Sequence, residues 1–163
     1  PAKIVIPFGR APMHDDVTRF VECGGLRTED PVLRASITTA LNRLPDQIRV
    51  ALLAVRPFVD ERGGEEGFET HCVFSVDETL EEESTTHWRP LLVKRGQARL
   101  LFNPRIFSLD EELRLWIIAR EIARYYLGRP EFGAGGGEDE PDRLAEEWGF
   151  RAYGEEMGEA HDS

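Results

Sequence analysis

One apolar helical segment constrains the fold of this chain more than any other part of the sequence. Residues 115–128 read LWIIAREIARYYLG. On a helical wheel, which advances about 100° per residue, apolar side chains cover most of the circumference. The polar residues Arg120, Glu121 and Arg124 fall in one arc, within about 100° of one another. A helix of this kind is buried on most sides, so the sequence predicts a central helix with one polar stripe.

The rest of the pattern predicts helices, then strands, then helices, which is typical of an α+β domain. Asp30 followed by Pro31 indicates a helix start, and Gly128 ends the apolar helix. The predicted helices cover 31–43, a segment from Pro45 that includes Ile48, Leu52 and Val55, a segment from Ser108 or Asp110 to Leu127, and a segment from about Pro141. The predicted strands cover 2–8, 68–76 and a pair within 89–104 joined at Arg95 and Gly96.

Length and charge narrow the class of protein. The 163 residues suit a single domain, 1–163, with its core at about 30–157 and a frayed tail at 158–163. The net charge of −11 makes nucleic acid an unfavourable partner. No apolar run reaches the roughly 20 residues of a membrane helix, and no signal-peptide core is evident, so we expect a cytoplasmic protein. The two cysteines have no metal-type spacing and are expected to be free thiols.

The polar stripe has the spacing of a metal-binding motif. In the zinc motif H-E-x-x-H, two histidines one helical turn apart hold the metal and the glutamate is the general base. Here REIAR places Glu121 at the glutamate position, with Arg120 and Arg124 at the histidine positions. Downstream, in EDEPDRLAEEWGF, Glu138 and Asp142 stand four residues apart, again one helical turn. On this helix alone, a polar stripe that simply faces water is the simpler interpretation.

Together these segments resemble the zincin-like metallopeptidases of the glutamate-ligand type, the gluzincins, in their small bacterial form. The similarity covers about residues 88–150. It implies a zincin-like fold with a small, mostly antiparallel sheet, a buried former active-site helix and a following C-terminal helix. It also matches Glu138 to the glutamate ligand and Asp142 to the acid that orients a ligand histidine from outside the first coordination shell.

The two arginines are incompatible with the zinc-dependent catalysis of that family. A guanidinium group stays protonated and offers only hydrogen-bond donors, so Arg120 and Arg124 repel a dication. Without a metal there is no activated water for Glu121 to deprotonate. We therefore expect a catalytically inactive, metal-free protein without cofactors, in which the five matched residues form a vestigial site. The arginines are expected to pair with Glu121, Glu138 or Asp142 and to join the two helices.

Three functional interpretations remain open. The first is a pseudo-metallopeptidase with a protein-binding or regulatory role, in which a peptide pairs with the strand from Ala98 to Asn103. An exposed strand of this kind also permits a homo-oligomer. The second is an active hydrolase with a relocated or non-zinc site that uses Glu121, Glu138 and Asp142. The third is a structural module whose former cleft is filled.

Overall fold

The computed structural model describes residues 14–59, 62–77, 86–90, 97–128 and 139–151, and within these ranges the chain folds as an α+β domain. The helices are α1 (Asp15–Glu22), α2 (Pro31–Arg43), α3 (Asp46–Leu52), α4 (Glu111–Leu127) and α5 (Glu140–Glu147), with a 3-10 helix at Pro104–Ser108. The strands are β1 (Leu26–Arg27), β2 (Val55–Val59), β3 (Glu65–Thr70), β4 (Cys72–Val76), β5 (Thr86–Pro90) and β6 (Ala98–Phe102). The predicted α+β class is confirmed.

The main sheet has four strands in the order β1-β4-β6-β5. β4 pairs in parallel with both β1 and β6, whereas β5 pairs with β6 in antiparallel orientation. The expectation of a mostly antiparallel sheet is therefore wrong for this sheet. Parallel neighbours require long connections, and the patterns used to predict hairpins contain no signal for such distant pairing. Of the antiparallel pair predicted within 89–104, the second strand is present as β6, and its antiparallel neighbour β5 overlaps the first predicted strand only at Arg89 and Pro90. Residues 91–96, with the predicted turn at Arg95 and Gly96, lie outside the described residues.

A separate two-stranded antiparallel sheet, β2–β3, was not predicted. The segment from Pro45 was read as helix through Val55, but α3 ends at Leu52 and β2 begins at Val55. The segment 68–76, predicted as one strand, is divided at His71 into β3 and β4. β3 belongs to the two-stranded sheet and β4 to the main sheet, so a single alternating pattern could not describe both strands.

Helix α4 lies in the core, as its apolar circumference predicted. Nine of its residues are buried, and α4 packs against α2, α5, β5 and β6. The buried residues of α4 are Leu115, Trp116, Ile117, Ile118, Ala119, Glu121, Ile122, Ala123 and Tyr125. The start of α4 is fixed to α2, because Arg114 donates from Nε to Ser36 Oγ at 3.1 Å. The hydroxyl of Tyr125 donates to the carbonyl of His71 at 3.4 Å, which joins α4 to the segment between β3 and β4.

The predicted helix ends agree closely with the structure. Asp30 caps α2, since its Oδ1 accepts from the backbone N–H groups of Val32 and Leu33. α4 follows Asp110 and ends at Gly128, and α5 begins one residue before Pro141. Side-chain capping explains the start of α2, whereas the N-cap residues of α4 and α5 make no side-chain capping hydrogen bond and Gly128 has a right-handed backbone conformation.

The N-terminal helix α1 was missed, and the predicted strand at 2–8 lies outside the described residues. Phe20 of α1 packs edge-on against Phe74 of β4, with ring centroids 5.9 Å apart. Neither Cys23 nor Cys72 forms a disulfide, and Cys72 is buried. Among the described helices, none combines the length and apolarity that crossing a bilayer requires.

Candidate functional site

Glu121 is the most deeply buried member of the predicted vestigial site. It lies in the middle of α4 and its side chain has no solvent exposure. Its Oε2 accepts a hydrogen bond from Nη1 of Arg124, one turn later on the same helix, at 2.9 Å. Arg124 is 44% exposed, so this ion pair joins a buried carboxylate to a guanidinium at the surface. The simple interpretation that the whole polar stripe faces water is therefore wrong.

Arg120 connects α4 to the following helix through a looser contact. Its side chain is 28% exposed, and its Nε lies 4.0 Å from Oδ1 of Asp142 on α5, whose side chain is 51% exposed. This distance is within the range of an ion pair but too long for a hydrogen bond. Nε of Arg120 is inaccessible to solvent and has no hydrogen-bond partner among the described residues. The predicted pairing of the two helices is thus present as a long charge contact.

Apolar side chains also pack between α4 and α5. Ala145 of α5 is fully buried, and Trp148 just after α5 is nearly so. The ring of Trp148 meets the ring of Tyr126 edge-on, with centroids 6.3 Å apart. Asp142 lies on the side of α5 that faces Arg120. Glu138, the fifth predicted site residue, lies outside the described residues.

The donor set of this cluster suits anions better than cations. Within the described ranges, no group of three or more histidine, cysteine or carboxylate side chains is arranged to hold a metal ion. A zinc site uses three or four such ligands, whereas Arg120 and Arg124 provide only donors and positive charge. Of the sequence's four histidines, His14 and His71 have described side chains and belong to no such group. What the cluster can do is hold carboxylates.

The strand from Ala98 to Asn103, predicted to accept a peptide, lies inside the sheet. Its residues 98–102 form β6, which pairs with β4 on one side and with β5 on the other. A partner strand therefore cannot add to β6 without displacing a neighbour. In the described part of the sheet, the outer strand on this side is β5 and not the strand for which peptide addition was predicted.

A second charged cluster, which sequence reasoning missed, joins α1 to α3. Nε of Arg49 donates to Oδ2 of Asp16 at 2.9 Å, and its Nη1 donates to Oδ1 of Asp46 at 2.9 Å. Burial lowers the pKa of Arg49, but hydrogen bonds and charges from Asp46 and Asp16 outweigh it and raise the pKa above the ordinary arginine value. The spacing of Asp46 and Arg49 on one predicted helix was a usable signal. Local spacing could not predict Asp16 as a partner of Arg49, because the two residues are 33 positions apart in the chain.

Comparisons of the chain with protein-family models, curated proteins and solved structures gave no significant match. The class that the structure defines is therefore an α+β domain with a mixed four-stranded sheet and a buried charged helix.

Proposed function

We propose that this protein is a metal-free, catalytically inactive zincin-like domain with a protein-binding or regulatory role. The observation that carries the proposal is the ion pair between Glu121 and Arg124 in the middle of a buried helix. In H-E-x-x-H enzymes, the residue at the position of Arg124 is a metal ligand and the residue at the position of Glu121 acts on a metal-bound water. Here the side chains at these two positions form an ion pair with each other.

The surroundings of this pair support the proposal. The helix packs beneath the β5–β6 side of the sheet, and a second helix with a carboxylate follows it. The carboxylate of Asp142 lies near Arg120, the other position where a metal ligand is expected. Positive side chains thus occupy both expected ligand positions, and each has a carboxylate beside it.

A binding role has a physical basis in the outer strand of the sheet. β5 is antiparallel to β6 and forms the edge of the described sheet next to α4. An edge strand exposes backbone donors and acceptors, with which an extended peptide can pair. We assign the binding role to this edge, and the partner would be an extended peptide segment of another protein or of a second copy.

The proposal is tested by restoring the histidines. We expect zinc to leave the melting temperature of the wild-type protein unchanged and to raise that of the double variant Arg120→His/Arg124→His. A ligand at a hundredfold excess over its Kd stabilises the folded state by about 2.7 kcal/mol, which differential scanning fluorimetry detects. The single variant Arg124→His is the matched control, since one histidine with the expected ligand Glu138 makes an incomplete zinc site.

Two results of this experiment would contradict the proposal. A zinc-dependent rise for the wild-type protein would show that a metal site exists despite the arginines. If that protein also cleaved peptides, the domain would be a hydrolase that uses Glu121, Glu138 and Asp142, and the inactive assignment would be wrong. Equal responses of the single and double variants would show that positions 120 and 124 do not converge on one metal site.

A further inference from the structure

We draw no further inference here: the strongest candidate, the surface patch on the two-stranded β2–β3 sheet where Phe68 is 47% exposed and the guanidinium of Arg19 lies 5.2 Å from its ring centroid, carries nothing, because nothing in the described part of the structure shows what covers it.

Discussion

At the scale of single residues, the decisive feature is an ion pair between a buried carboxylate, Glu121, and a partly exposed guanidinium, Arg124. Glu121 is fully buried, and a buried ionised carboxylate without a cation nearby would strongly destabilise the folded protein. Arg124 supplies that cation from the surface, over one helical turn. The sequence could predict this pair from its spacing and could not predict its depth, because burial depends on how α5 and the sheet surround α4.

Truncation of the Arg124 side chain should clearly lower the stability of the folded protein. Arg124→Ala should lower the free energy of unfolding by about 1–3 kcal/mol, because it leaves Glu121 without one of its charged hydrogen bonds. A fully buried pair would lose more, but the exposure of Arg124 allows water to replace part of the interaction. Urea denaturation followed by circular dichroism measures the change.

The exposed pair on α5 provides the control for this prediction. Arg143 donates to Glu140 at 2.8 Å with the same three-residue spacing, but the Arg143 side chain is 63% exposed. Arg143→Ala should therefore cost no more than about 0.5 kcal/mol. If the two alanine variants lost equal stability, burial of Glu121 would add nothing to the strength of its ion pair with Arg124.

At the scale of elements, the sequence predicted what local chemistry determines. The starts of α2 and α5 were marked by Asp30, Pro31 and Pro141, since caps and prolines act within one turn. The ends of α4 were also predicted at the right places, although the side chain of Asp110 makes no capping hydrogen bond. The strands were less predictable. β1 has two residues and pairs with β4, which is almost fifty positions away in the chain, and no short pattern encodes such a partner. The parallel pairing of the main sheet was missed for the same reason.

The cluster around Arg49 illustrates the same limit and gives a testable consequence. Arg49→Met should lower the free energy of unfolding by about 3 kcal/mol, because it leaves the part-buried Asp16 without its cation. Arg43→Met, at the exposed end of α2, is the control and should stay within about 0.5 kcal/mol of wild type. Chemical denaturation of both variants measures the difference.

The pH dependence of this loss follows from the pKa of Arg49. Because that pKa is raised in the folded state, the contribution of Arg49 is fully present below the pKa of an unfolded arginine. It is lost only as the pH rises through the higher pKa of the folded protein. The gap between Arg49→Met and wild type should therefore remain constant from neutral pH to about pH 10. A gap that closed within this interval would show that charge pairing is not the source of the stability.

At the scale of the whole molecule, charge and architecture support the same interpretation. The buried helix α4 forms part of the core and also carries Arg120 and Arg124 to the surface next to α5. A protein with a net charge of −11 would attract metal cations in general, yet the two positions that the proposed resemblance matches to zinc ligands carry positive side chains. The resemblance to zincins was visible in the spacing of five residues. The structure brings four of these residues into one region, and the fifth, Glu138, lies outside the described ranges.

The most direct test of the central claim is the zinc content of the wild-type protein. The protein is purified without chelators from cells grown with added zinc, and the metal is quantified by inductively coupled plasma mass spectrometry against protein concentration. Because Arg120 and Arg124 supply charge but no lone pairs, the zinc content should be far below stoichiometric. About one zinc ion per chain that survives dialysis would contradict the account.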